Sequence, residues 1–429
     1  MIELLYCLFL LSGLVKSFLL FYASSLAVVD FTLLCAAALL AAYLFQAGVN
    51  AFCHSTFHIL ESTRAVVFVL LIFYLWMIIT LIYTPSPGYS YIKIFMFLTG
   101  MIAILFPFLY KGFDPVRFFH VTAYAGTGLI ALYSFFLPKA YANYLVYNDG
   151  REFVVKYLDV GFLAGLMILI LAFTCPRLKP FPKILLIGIN AWTLLISSAR
   201  GPMAFLFFVL LIRLGVSAVT FMRRSWTFNF KNGIAILGGI GLFAVAVSYI
   251  IDRYAALLER SITRLLMLTD LESGSVSERL SQLAFSFETI FHNATNFLFG
   301  LGIGSFGILY EGMDERNYPH NVGLEIWFEL GTVGLALFIL LLWLYFKRIR
   351  LHLNFLLIFI YLLLNSLKSY SLIDLRIMFG ILSVLLIHPL LYPVLYPVSY
   401  PGGNAPAAVN ADETGNEPHV PVQEVEGVS

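Results

Sequence analysis

The stretch NYPHNVGLEIWFELGTVGLALFILLLWLYFKRIR, Asn317 to Arg350, carries in one segment the features that organise the chain. Its centre, 322–346, is an apolar run long enough to cross roughly 30 Å of hydrocarbon as a helix. It stops at Lys347, Arg348 and Arg350, as a helix does where it meets the cytoplasm. At the other end stand a histidine, His320, and two carboxylates, Glu325 and Glu329, in a sequence only 12% charged. The glutamates are four residues apart and share one helix face, with Glu329 about two turns deep. A charged side chain at that depth costs about 2.5 kcal/mol or more and normally faces a bundle interior, a cavity or a partner. The two therefore read as scaffold that pairs neighbouring helices. His320 projects roughly 140° away from Glu325 around the helix, which argues against a direct His–Glu dyad.

Similar runs recur along all but the last part of the 429 residues, which are 61% hydrophobic with a mean hydropathy of +0.91. That composition predicts an all-α polytopic membrane protein of about twelve transmembrane helices. The predicted spans are 3–22, 26–46, 65–83, 91–110, 117–137, 157–174, 184–198, 202–222, 233–251, 322–346, 352–367 and 373–391. With the N-terminus inside, the cytoplasmic gaps hold Arg64, then Lys111 and Arg117, then Arg177, Lys179 and Lys183, then Arg223, Arg224 and Lys231, and last Lys347 to Arg350. The external gap TPSPGY holds no basic residue, and in the external 137–156 gap Lys139, Arg151 and Lys156 are accompanied by Asp149 and Glu152. Both termini are thereby expected in the cytoplasm. A net charge of +2 provides no basic field for nucleic acid.

The predicted organisation is helices one to nine over 1–251, an external helical segment over 252–320, helices ten to twelve over 321–392, and a disordered cytoplasmic tail over 393–429, Pro- and Tyr-rich and then acidic. Within the external segment, Arg253, Arg260 and Arg264 recur at helical spacing, as on an amphipathic helix with a basic face near lipid phosphates. Ser275 and Glu278 have capping-box spacing and start a second helix with Arg279 in its first turn. The cysteines, Cys7, Cys35, Cys53 and Cys175, lie outside the external segment, so no disulfide is expected.

Three external residues could carry chemistry. Arg200, in SSARGPM, occupies a short external hairpin where the positive-inside rule disfavours an arginine, although a helix-end Arg can also simply snorkel. Arg279 near a helix start works against the dipole and calls for an anion or a carboxylate. His320 closes the segment. The loop FGLGIGSFG, Phe299 to Gly307, suggests a phosphate cradle but lacks the GK[ST] ending of a P-loop, and reads better as a turn linking external helix to membrane. No His, Cys or Asp cluster with metal-ligand spacing appears on the external side.

SSARG before a helix, then SERLSQLAFSFETIFHNATNFLFGLGIGSFG, then PHNVGLEIWFELGTVGLALFILLLWLY resemble, in order and spacing over about 184–346, the O-antigen ligase and polymerase superfamily of bacterial envelope glycosyltransferases. Where that family often carries a Trp after the position of Arg279, this chain reads LSQLAF. The resemblance implies a GT-C-like fold in the bacterial inner membrane with its site facing the periplasm, working without metal or cofactor. It implies a polyprenyl (undecaprenyl) diphosphate-linked glycan as donor, Arg200 and Arg279 as the residues that bind the diphosphate, and His320 as the base. The acceptor would be a sugar hydroxyl, on the next lipid-linked repeat unit in a polymerase or on lipid A core in a ligase. A chain-length regulator would be a further partner of a polymerase. The external aromatics Phe285, Phe287, Phe291, Tyr310 and Tyr318 suit sugar stacking and incline the reading to a polymerase of O-antigen or exopolysaccharide. The rival from another class is a transporter or flippase of lipid-linked sugars, which would show an internal repeat or a pair of broken helices at corresponding positions, and polar groups near the midplane.

Overall fold

The structure, a computed structural model, describes residues 1–22, 30–52, 61–110, 112–135, 144–146, 152–154, 157–223 and 274–391. The expected span at 233–251, the basic helix with Arg253, Arg260 and Arg264, the C-terminal tail and Cys53 lie outside these residues. In chain order the elements are α1 (Ile2–Tyr22), α2 (Phe31–Phe52), α3 (Glu61–Thr80), α4 (Tyr89–Leu109), α5 (Pro115–Ser134), β1 (Tyr144–Val146), β2 (Glu152–Val154), α6 (Tyr157–Phe173), α7 (Pro180–Ser197) and α8 (Arg200–Arg223). There follow α9 (Gly274–Phe291), α10 (Ala294–Phe299), α11 (Ser305–Glu311), α12 (Val322–Ile349), α13 (Leu353–Ser369) and α14 (Arg376–Leu391).

The chain is a helical membrane protein. Among the described residues, six helices, α1, α3, α4, α7, α8 and α12, are long and apolar enough to cross a bilayer, and α2, α6, α13 and α14 contain shorter apolar stretches. Large apolar side chains such as Phe68, Phe207 and Leu214 point outward, each about two-thirds exposed. Such a surface suits lipid and would associate in water. One departure from an all-helical chain is a small antiparallel hairpin, β1 with β2, in register Tyr144 with Val154 and Val146 with Glu152. Its strands, Tyr-Leu-Val and Glu-Phe-Val, are rich in residues that favour extended backbone.

Helix starts follow local chemistry. Asp114 caps α5 by accepting from the Val116 and Arg117 amides, with Pro115 at the first helical position. Asn321 caps α12 by accepting from Leu324 N at 3.0 Å. Helix α9 begins at Gly274, just upstream of the Ser275–Glu278 box, which moves Arg279 from the first turn into the second. At the centre, α6 is buried over Val160–Leu171 and packs against α5, α7, α8 and α13. Gly165 gives room there to the Tyr361 ring, whose hydroxyl donates to Phe162 O at 2.9 Å.

One end of the bundle is covered by α9, α10 and α11, which pack on the first turns of α12 through Ile290, Phe306, Leu324 and Phe328. Phe285 and Tyr310, expected as a sugar-stacking surface, pack against this small core, while Phe287 and Phe291 remain exposed beside Trp327. The glycine loop between α10 and α11 has a different role from a phosphate cradle. Helix α12 is broken at Gly331, which has φ 66° and ψ −171°. A break leaves carbonyls of the preceding turn without helical partners, and inside a bilayer each must find another donor. Leu301 N donates to Phe328 O and Gly302 N to Glu329 O, both at 2.9 Å, and Trp76 Nε1 donates to Leu330 O at 2.9 Å. The Leu301 and Gly302 amides are thus occupied by α12, and the Ile303 amide by Thr80 Oγ1 at 3.3 Å. A Cβ on Gly300 would sit 2.5 Å from the Glu329 carbonyl, which is why two glycines face each other at this crossing.

Candidate functional site

Two groups of charge lie near the capped end, and they differ in how each ion is satisfied. The first is inside the bundle. Lys93 on α4 reaches Glu325 Oε1 at 2.5 Å and both carboxylate oxygens of Glu329 at 2.7 Å, all three side chains being buried. Glu325 also accepts from the Ser371 hydroxyl at 2.7 Å and from Leu372 N at 2.8 Å. The Gly304 amide serves the Glu329 carboxylate. The two glutamates therefore tie α12 to α4 and to the turn before α14. Lys93 was missing from the sequence reading of this pair, though a lysine four residues into the apolar run of α4 is a signal of its kind. His320 takes no part, consistent with the argument against a His–Glu dyad.

The second group lies on the surface of the same end. Arg200 opens α8 after a tight turn in which Ser198 has φ 53°. Lys368, in the last turn of α13, lies across the residue that follows Arg200. A Cβ on Gly201 would sit 2.6 Å from Lys368 Nζ, and the ammonium also lies 5.9 Å from the Phe205 ring centre. Lys368 feels the charges of both Arg279 and Arg200. Among the described residues, no carboxylate lies within ion-pair distance of Arg200, Arg279 or Lys368.

His320 sits at the turn into α12 with φ 50°, a left-handed conformation that non-glycine residues seldom adopt. Its amide donates to Tyr318 O at 2.8 Å, and its ring packs 4.8 Å from the Tyr318 ring, whose hydroxyl donates to Ser369 O. Half-burial lowers the imidazole pKa below 6.5. The positive charge of Arg279 lowers it further, against the opposing pull of Glu278 and Glu325. At neutral pH the ring is uncharged and can take a proton.

The three residues singled out from sequence thus share one neighbourhood, linked by charge from Arg279 to His320 and, through Lys368, to Arg200. Lys368 is the member that sequence reading did not find. Its only signal is a basic residue at a helix end, which is ordinary for snorkelling. Among the described residues, no three His, Cys, Asp or Glu side chains gather with metal-ligand geometry. Cys7, Cys35 and Cys175 are buried free thiols. Comparison with known protein families and with curated proteins returns no match.

Proposed function

We propose that this chain is a membrane glycosyltransferase that polymerises a surface polysaccharide. It would transfer a glycan chain from a polyprenyl diphosphate donor to a sugar hydroxyl of the next lipid-linked repeat unit. The observation that carries the reading is the grouping of Arg200, Arg279 and Lys368, with Lys368 Nζ against Gly201 and, among the described residues, no carboxylate within ion-pair distance of the three, beside an imidazole whose pKa is lowered. In this reading the chain crosses the bacterial inner membrane twelve times in a GT-C-like bundle, and the capped end faces the periplasm.

In the reaction the bond between the anomeric carbon and the diphosphate oxygen breaks, and the acceptor oxygen bonds to that carbon. The acceptor proton passes to His320. The polyprenyl diphosphate leaves with added negative charge, which the guanidinium forks of Arg200 and Arg279 and the Lys368 ammonium stabilise. The donor itself supplies the energy.

Among the described residues, the broken helix α12 and the buried charges of Lys93, Glu325 and Glu329 are features that a transporter would also show, because helix breaks and intramembrane charges build midplane ion sites. Here the carbonyls freed by the break are taken by Leu301, Gly302 and Trp76. The test is a transfer assay with purified protein, a lipid-linked glycan donor and two alternative acceptors. Chain growth on lipid-linked repeat units in the presence of EDTA is the expected result. Transfer only to lipid A core would make the chain a ligase. Abolition by EDTA with recovery in Mg²⁺ or Mn²⁺ would replace the arginines with a metal as the source of charge.

A further inference from the structure

Helix α9 has three faces, where a helix that only covers a core has two. Gln282, Ser286 and Ile290 are buried and form the face packed on α12. At about 100° of turn per residue, Leu280, Leu283, Phe287 and Phe291 make a second stripe, centred about 100° round from the first. Ser281, Glu288 and His292 are exposed on the far side of the packed face. The four stripe residues, with Leu298 and Phe299 of α10, are each between 38% and 59% exposed. A row of large apolar side chains beside a polar flank marks a contact surface, and its level in the bundle identifies what it contacts.

Helix α12 supplies the ruler. Its 28 residues measure about 42 Å, against roughly 30 Å of hydrocarbon, so part of it stands outside. About twenty residues fill the hydrocarbon, and counted back from Lys347 at the basic end they finish at Trp327. Tryptophan is enriched at that boundary. The Phe287 and Phe291 rings stand 6.3 and 5.5 Å from the Trp327 ring, which sets the stripe level with the edge of the hydrocarbon. Helix α10 goes slightly deeper. Thr332, five residues further in than Trp327, donates to Phe297 O at 2.8 Å. Phe299 lies 6.2 Å from the Trp76 ring, and its carbonyl accepts from the Tyr83 hydroxyl at 2.6 Å. Between Trp76 and Tyr83 stands the exposed Ile79, so α10 continues the outward apolar surface of α3.

We infer that the stripe of Leu280, Leu283, Phe287 and Phe291, continued by Leu298 and Phe299, is seated in the acyl chains of the bilayer leaflet at the capped end. The polar flank with Ser281 and Glu288 faces headgroups and water. Lipid hydrocarbon is the occupant because the surface has no charged member, lies at the hydrocarbon boundary and runs into the outward face of α3. Over 280–299 the segment expected from sequence to stand outside the membrane is thus partly inside it, and Phe287 and Phe291 serve lipid rather than a sugar ring. Arg279, one residue before the stripe, is held at the level of the lipid phosphates. The seating does not depend on the glycosyltransferase reading.

The test uses full-length protein in phosphatidylcholine nanodiscs, with a nitroxide on one introduced cysteine at a time. Leu283→Cys, Phe287→Cys, Phe291→Cys and Leu298→Cys report the apolar surface, and Ser281→Cys and Glu288→Cys the polar flank. Wild type, in which Cys7, Cys35 and Cys175 are buried, is the labelling blank. Collision with oxygen, which concentrates in hydrocarbon, is compared with collision with a water-soluble nickel chelate. Oxygen should dominate at the four apolar positions, at a depth of about 5–10 Å, and nickel at the two polar ones. Nickel dominating on both flanks would overturn the inference, because the helix would then stand in water. Protection from both reagents at the apolar positions would overturn it as well, by showing that another protein segment or a second copy covers the stripe. Thermal midpoints establish which labelled variants fold, and the positions that keep the wild-type midpoint decide. A measurement without labels stands beside these: phospholipid brominated on its acyl chains should quench the emission that Trp327→Phe removes. An unquenched Trp327 would put the stripe outside the bilayer and overturn the inference.

Discussion

Lys93 and Lys368 lie near the same end of the bundle, and their surroundings are opposite. Lys93 is buried and donates to two carboxylates at 2.5–2.7 Å. Lys368 is half-buried, lies over the Phe205 ring, and among the described residues feels two guanidiniums, those of Arg279 and Arg200. A buried ammonium without counter-charge would cost several kcal/mol, and the three-residue cluster of Lys93, Glu325 and Glu329 removes that cost internally. Like charges gathered at a surface remain unfavourable until an anion arrives. The first arrangement holds helices together, and the second is the one proposed to receive the donor's diphosphate.

The largest effect should come from breaking the closed cluster. Lys93→Met leaves two carboxylates without their cation and is expected to cost about 3–5 kcal/mol, seen as loss of monodisperse protein or a lower Tm. Adding Glu325→Gln and Glu329→Gln to that variant should restore folding, because the charges are then removed together. No recovery would mean that Lys93 acts through packing instead.

Changes in the open cluster should leave folding intact and act on the substrate. Arg200→Lys is expected to fail in transfer nearly as badly as Arg200→Ala, since an ammonium cannot reproduce a two-pronged contact with phosphate. Wild-type transfer by Arg200→Lys would reduce Arg200 to a point charge. Lys368→Met should weaken donor binding about tenfold or somewhat more, less than loss of either arginine, with Tm unchanged. A lowered Tm with normal binding would place Lys368 with the structural charges.

The smallest effect is on pH dependence. The imidazole must be neutral to accept a proton, and burial together with Arg279 holds its pKa below 6.5. The acid limb of the rate profile should accordingly fall below pH 6.5. Arg279→Gln should move the limb upward by removing a lowering charge, and Glu278→Gln should move it downward by removing a raising one. Shifts in the same direction for both would exclude His320 as the titrating group.

The membrane-embedded character was legible because a bilayer demands long apolar runs, and α12 coincides closely with the run from which it was read. The depth of Glu325 and Glu329 announced a partner, but not Lys93, which is 232 residues from Glu325 in sequence and is brought near by packing. The glycines of FGLGIGSFG were legible as a turn. Their role in satisfying the break at Gly331 was not, because the run containing Gly331 has the composition of an unbroken span. The first turn of α9 was misplaced because a capping box fixes a helix start only to within a residue or two. Arg200 and Arg279 stood out as cations on a side where few occur, whereas Lys368 looked like any helix-end lysine until Gly201 put it beside Arg200.

The central claim is that cations hold the donor while His320 carries the chemistry. The most direct test is His320→Ala, with donor affinity and single-turnover transfer measured on the same purified protein. The expected result is an unchanged Kd for the lipid-linked donor and transfer slowed about 10²–10⁴-fold, the usual worth of a general base. Near-normal transfer, or a loss confined to donor binding, would contradict it.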